Sequence, residues 1–348
     1  MRYGASLQEL KDRLTSRTLL AVLGLIFILI CASLFQFVLL PKLDAYLVKY
    51  QPNETIHPEI MGTPDPIITA MLLQVNESEM FRTVEDLQKI PTRAYGTPGN
   101  REAAEYLNRR LSGYPNLSVE YQGGDLRNVI ATLPGQDHAS KEIILVGAHY
   151  DSNSTDPFHA PGVTDNGCGV AITMELARVM SQYRFPNTLK FAFWNGEESK
   201  EGEFSLGSTS YANQAKNQSL DISLYLNYDS ACYDPANRSV VDIMYNLRSR
   251  PMAEEMVRSD GLYGINATLT YNLFNCVDDV RPFWSAGYPA IMTHSESHGY
   301  RHTPEDTLDK ASFPYARMNA RLGMAVLAHY AELVKIPSRT RFYLQLTT

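Results

Sequence analysis

Cysteine is scarce. Of four in 348 residues, Cys31 lies inside an apolar run, leaving Cys168, Cys232 and Cys276 for the rest of the chain. Three thiols allow at most one disulfide, so a disulfide-built scaffold is excluded. A basic excess is missing too. The formal net charge is -7; the first 17 residues carry Arg2, Lys11, Arg13 and Arg17 against Glu9 and Asp12, leaving -9 for the remainder. That balance argues against a nucleic-acid partner. No internal repeat or low-complexity tract interrupts the body of the chain. Between Leu19 and Leu40, in LLAVLGLIFILICASLFQFVLL, charge is absent altogether.

That last absence is informative. About 20 apolar residues span a bilayer, and the run is too long for the core of an ordinary cleaved signal peptide. Basic residues before it predict a single-pass anchor at 18–40, a cytoplasmic segment at 1–17 and an extracytoplasmic body. The pattern Asn-x-Ser/Thr occurs at Asn53, Asn76, Asn116, Asn153, Asn217, Asn237 and Asn266, more than the two or three expected by chance, and it points to a glycosylated exterior or lumenal face. Residues 41–78, with Pro41, Pro52, Pro58, Pro64 and Pro66, read as a stalk. A compact body follows at 79–336, and 337–348 forms a C-terminal tail.

Within the body the pattern alternates. Phe81, Val84, Leu87 and Ile90 recur at helical spacing, as do Ala103, Leu107 and Leu111. Strands are expected at 129–133, 143–148, 189–194, 224–228 and 240–245, and helices at 170–182, 206–214 and 315–334. Strands alternating with helices imply an α/β three-layer sandwich around a mostly parallel central sheet. In such sheets ligands bind at the carboxyl ends of the strands.

The chemical residues sit there. His149-Tyr150-Asp151-Ser152 follows the second strand, Asn195-Gly196-Glu197-Glu198 the third and Asp229 the fourth. Asp165 lies in the Gly-rich loop 162–169, and His302 in YRHTPEDT near the C-terminus. Taken singly, each has an ordinary explanation: a surface pair, an Asx turn, a helix-terminal charge pair. Five or six such groups converging on one sheet edge are poorly explained that way. An oxygen and nitrogen donor set without cysteine suits a hydrolytic metal site with open positions. One bridging carboxylate, with one His and one carboxylate for each cation, is the composition of a two-metal site.

From Arg93 to Val334 the chain resembles the co-catalytic zinc peptidases, which include bacterial leucyl aminopeptidases and glutamate carboxypeptidases. The resemblance rests on RAYGTPGNREAAEYL, NVIATLPG, ILVGAHYDS, GVTDNGCGVA, FAFWNGEES, LGSTSYA, LNYDSA, GYPAIM and YRHTPEDT, in matching order and spacing. It implies two Zn²⁺ per chain, one held by His149 and Asp229, the other by Glu198 and His302, with Asp165 bridging. Glu197 matches the general base and Asp151 the carboxylate that orients His149. Two features depart from the pattern. Val280 stands where many relatives carry a histidine after the Asp matched by Asp279, and the segment 199–205, SKEGEFS, is longer and more charged than usual.

The resemblance implies an exopeptidase acting on peptides, and the run at 18–40 adds the membrane anchor. A body of about 255 residues has no room for the extra domains of the larger carboxypeptidases, which favours an aminopeptidase. A carboxypeptidase or dipeptidase needs a cation for the substrate's α-carboxylate, and Arg248, Arg281 and Arg301 are candidates. A glutaminyl cyclase fits the TDNGCG loop poorly. A non-catalytic receptor-like relative is expected to have lost ligands, and none of the five is missing.

Overall fold

A computed structural model describes residues 62–199, 205–273, 278–295 and 298–333. The anchor at 18–40, the cytoplasmic segment, most of the stalk, Cys276 and the tail lie outside the described residues. Among the described residues no helix is long and apolar enough to cross a membrane.

The body begins inside the segment read as a stalk. Helix α1 (Pro66–Leu73) is opened by Asp65, whose side chain accepts the amides of Ile67 and Ile68, with Pro66 in its first turn. Proline there forfeits no intrahelical hydrogen bond, so it marks a helix start rather than a break. Ile68, Met71 and Leu72 are buried in the main core. Helix α2 (Glu77–Gln88) is capped by Asn76 and carries Glu77 and Glu79 in its first turn, where carboxylates oppose the helix dipole favourably. Helix α3 (Pro98–Ser112) starts at Thr97, whose hydroxyl accepts the Asn100 amide, and buries Ala103, Ala104, Leu107 and Leu111.

Eight strands form one sheet: β1 (Ser118–Gln122), β2 (Asn128–Leu133), β3 (Glu142–His149), β4 (Thr188–Trp194), β5 (Asp221–Tyr228), β6 (Val240–Tyr245), β7 (Thr268–Leu273) and β8 (Ala290–His294). Their order is β1-β2-β4-β3-β5-β8-β6-β7. The expected mostly parallel sheet is corrected to a mixed one. Strands β4, β3, β5 and β8 run parallel in the centre. The β1–β2, β2–β4 and β8–β6 pairs are antiparallel, and β6–β7 is parallel again. The short link between β1 and β2 can only join antiparallel neighbours, because a parallel pair needs a long crossover.

Helices cover both faces. Along β3, Ile144, Val146 and Ala148 point into the larger core with α4 (Cys168–Met180) and α8 (Phe313–Tyr330). Ile143 and Leu145 point into a smaller core against α5 (Leu206–Asn217) and α7 (Val280–Ala286). This alternation is the two-residue period of a strand buried on both sides. Helix α6 (Arg250–Tyr263) completes the larger layer through Met252, Ala253 and Met256. The carboxyl ends of the parallel strands are left to the loops that carry the polar residues.

Candidate metal centre

Strand β3 ends on His149, which is fully buried. Its Nδ1 lies 3.2 Å from the backbone oxygen of Asp151 and 3.6 Å from that residue's Oδ1. The shorter contact is the hydrogen bond. With its proton on Nδ1, the ring presents a lone pair on Nε2, the state a metal requires. The Asp151 carboxylate also acts elsewhere. Its Oδ1 and Oδ2 accept the backbone amides of Glu197 and Glu198 at 3.2 and 3.0 Å. It thereby ties the turn after β4 to the end of β3.

Asp165 lies at the centre. Its Oδ1 is 3.2 Å from His149 Nε2, and its Oδ2 is 3.1 Å from His302 Nε2. Asp229, just past β5, places Oδ1 3.8 Å from His149 Nε2. Glu198 Oε1 meets His302 Nε2 at 2.7 Å. Donor atoms of His149, Asp165 and Asp229 fall within 4.8 Å of one another, as do those of Asp165, Glu198 and His302. The two sets share Asp165 alone. A third grouping, His149 with Glu197 and Glu198, meets the same limit. All five expected ligands and both assisting carboxylates are therefore brought together.

The Asp165 loop is held from several sides. Asn166 Nδ2 donates to the Tyr228 carbonyl at 2.8 Å, and its Oδ1 accepts the Gly169 amide. A side chain at Gly169 would press on Asn166 Oδ1 and the Tyr228 carbonyl, so glycine permits this approach to β5. A disulfide joins Cys168 to Cys232, within the limit set by three cysteines. Arg93 was not singled out from the sequence. It is fully buried and donates to the carbonyls of Tyr150, Pro161 and Gly162 at 3.0, 2.6 and 2.9 Å, stapling the loops that carry Asp151 and Asp165. Asp306 was missed as well: it binds the Thr164 and Asp165 backbone. Both lie inside the stretches RAYGTPGN and YRHTPEDT, but their partners are distant in sequence, so no local pattern gives their roles.

The electrostatics call for cations. Burial disfavours charge on Asp165, yet Arg301, His149 and His302 hold its carboxyl well below the usual range. Asp229 is pushed up by burial and by Asp165, and held down overall by His149 and Arg301. Burial opposes protonation of His149, but Asp151, Asp165 and Asp229 outweigh it and raise its pKa. Hydrogen bonds that His302 donates to Asp165 and Glu198 raise it to about 10. Glu197 behaves differently. Burial pushes its carboxyl well above the ordinary value, with Asp279, Glu198 and Asp229 adding to the shift and His149 opposing it.

One further observation tests the site for a metal. His149 Nε2 and Asp165 Oδ1 are buried, face one another, and have no hydrogen-bond partner among the described residues. Buried polar atoms are almost always satisfied. A donor nitrogen and a carboxylate oxygen left open in this way fit a divalent cation of zinc's preferences. Val280 packs in the smaller core. Neighbouring Asp279, raised by burial to about 7, has both carboxylate oxygens buried without a hydrogen-bond partner among the described residues.

A mixed α/β sheet with clustered imidazole and carboxylate donors at its carboxyl edge defines a metallohydrolase scaffold. The chain belongs to peptidase family M28, whose model matches residues 128–327. It is 28% identical to a probable zinc metalloprotease of Pyrenophora teres f. teres over 53% of this chain and 45% of that protein. A probable leucine aminopeptidase of Trichophyton verrucosum is 25% identical, over 78% of this chain and 75% of its own length. The chain thus spans less than half of the first relative and three quarters of the second. Among solved structures, Legionella pneumophila LapA aminopeptidase superposes with a TM-score of 0.69 at 19% identity, covering 83% of this chain and 80% of that one. The aminopeptidase from Aneurinibacillus sp. strain AM-1 gives 0.64 at 17%, covering 78% and 98%. These likenesses establish the fold.

Proposed function

We propose that the protein is a zinc-dependent aminopeptidase, carried on a membrane by the apolar segment 18–40 with its body outside the cytoplasm. The reading is carried by Asp165, whose two carboxylate oxygens face two separate His and carboxylate sets. His149 and Asp229 would hold one zinc ion, Glu198 and His302 a second, and Asp165 would bridge them. Zinc bound there supplies Lewis acidity that polarises a scissile carbonyl and lowers the pKa of water.

The chain's own residues do the rest. Glu197 is buried beside His149 and Glu198 but belongs to neither proposed set, and its raised pKa suits a group that takes a proton and gives it to the leaving amine. Asp151 positions Glu197 and Glu198 through their amides. The related sequences bearing the names zinc metalloprotease and leucine aminopeptidase support peptides as substrates. Asn76, Asn116, Asn217, Asn237 and Asn266 are exposed, as glycan acceptors must be. The amides of Asn116 and Asn266 donate to the Ser181 and Gly264 carbonyls, and that of half-buried Asn153 contacts Glu198.

The experiment is metal counting and peptide hydrolysis on the full chain in detergent. Two zinc ions per chain and cleavage of free-amine but not N-acetylated peptides are expected. Release of C-terminal residues from N-acetylated peptides would establish the carboxypeptidase alternative. One zinc with cyclisation of N-terminal glutamine would establish the cyclase.

A further inference from the structure

Two side chains beside the centre have no part in the proposed hydrolysis. His294 ends β8, and Arg301 precedes His302. The Arg301 Nε donates to Asp165 Oδ2 at 2.9 Å, Nη2 lies 4.0 Å from Asp229 Oδ2, and Nη1 is 3.3 Å from His294 Nε2. A guanidinium only donates, so His294 Nε2 is the acceptor in this contact. His294 is buried, while the Arg301 side chain keeps 28% of its surface open. We propose that Arg301, aimed by His294, is the specificity residue that binds a carboxylate of the substrate. The proposal rests on the aminopeptidase reading of the same site.

The reasoning is competitive. Asp165 Oδ2, which Arg301 holds, also faces His302 Nε2 at 3.1 Å, so it is the oxygen that an ion on the Glu198 and His302 set would take. Arg301 then keeps His294 at 3.3 Å and Asp229 Oδ2 at 4.0 Å, the latter on the other proposed set. A largely buried cation whose neighbouring carboxylates are engaged elsewhere is costly. A carboxylate entering the cleft removes that cost, and the planar guanidinium fork matches carboxylate geometry. Two substrate groups carry this chemistry: the side chain of an N-terminal Asp or Glu, and the free α-carboxylate of a dipeptide.

The test compares matched substrates on the zinc-loaded full chain, for wild type, Arg301→Met and Arg301→Lys. One arm sets N-terminal Glu against Gln; the other sets a dipeptide against its C-terminal amide. The readout is the ratio of kcat/KM within each pair, so a general loss of activity cancels. A preference of roughly tenfold or more for one carboxylate, collapsing towards one in Arg301→Met and partly kept in Arg301→Lys, is expected. The responsive arm identifies the source. Calorimetry of free glutamate against glutamine and of dipeptide against dipeptide amide, in the Glu197→Gln background with and without Arg301→Met, reads the same preference without turnover. Ratios near one in both arms, or an equal loss on all substrates in Arg301→Met, overturn the proposal. If only N-acetylated peptides are cleaved, the aminopeptidase reading falls, and the calorimetric comparison still decides the role of Arg301.

Discussion

Asp306 holds Asp165 by its backbone: Oδ2 of Asp306 accepts the Asp165 amide at 3.1 Å. Its Oδ1 takes the amide and hydroxyl of Thr164 at 2.9 and 2.6 Å. With the peptide anchored in this way, the Asp165 side chain is left facing both histidines. Asp306→Asn replaces one acceptor oxygen with an amide that faces another N–H donor. Metal affinity should fall by roughly 10- to 100-fold, as for other residues that orient ligands from behind. Competition with a chelator measures it, and wild-type affinity in the variant would show that Asp306 serves the loop alone.

Glu197→Gln separates base from ligand. The substitution keeps volume and removes the ability to carry a proton. Activity should drop by roughly 10²- to 10⁴-fold with the metal content unchanged, read by elemental analysis of the same preparation. His149, Glu197 and Glu198 also lie close enough to share an ion. Loss of zinc together with activity would therefore make Glu197 a ligand.

Of the five expected strands, β3 is a continuous apolar run buried on both faces from Ile143 to Ala148, whereas β6 alternates half-buried and buried residues. Strand ends located the site residues, because in a parallel sheet position along the strand is position relative to the cleft. Strand β1 escaped notice because it is a half-exposed edge with no clean alternation. Helix α1 was hidden by Pro64 and Pro66, which resemble a linker until the buried face of Ile68, Met71 and Leu72 is known. Strand direction was not legible, since a local apolar pattern is the same whichever way a neighbour runs. Asp306 and Arg93 act on residues 57 to 142 positions away, and no local signal marks such a contact.

Stability should depend on pH differently with and without metal. Burial raises Asp279 to about 7 and Asp306 to about 6 in the fold. A raised carboxyl contributes stability that is complete below its unfolded value, about 4, and is lost as pH rises through the folded value. His302, raised to about 10, likewise contributes below its unfolded value and loses that contribution as pH climbs towards 10. Asp165 and Asp229 are depressed, so their contribution is already complete at pH 5 and does not change above it. The chelated protein should therefore lose stability between pH 5 and 8. Metal binding needs deprotonated ligands and strengthens over the same range. The Tm gap between zinc-loaded and chelated protein should widen from pH 5 to 8 in scanning calorimetry; a constant gap would contradict the assignment.

The Cys168–Cys232 bond joins two places that matter for the same reason: each cysteine lies three residues beyond an expected ligand, Asp165 and Asp229. The two half-cystines are separated by 64 positions and buried. Closing a loop of that length in the unfolded chain is worth about 4 kcal/mol in the chain-entropy account. For a body of this size that corresponds to a Tm shift of roughly 10 °C. A Cys168→Ser, Cys232→Ser double variant should show that loss. Because the bond also couples the backbones that present Asp165 and Asp229, zinc affinity should weaken in chelator competition performed well below the lowered Tm. A variant that melts early yet binds zinc as tightly as wild type would confine the disulfide to the fold. One that loses both would place it in the metal centre, where Asn166 and Gly169 already press the Asp165 loop against β5.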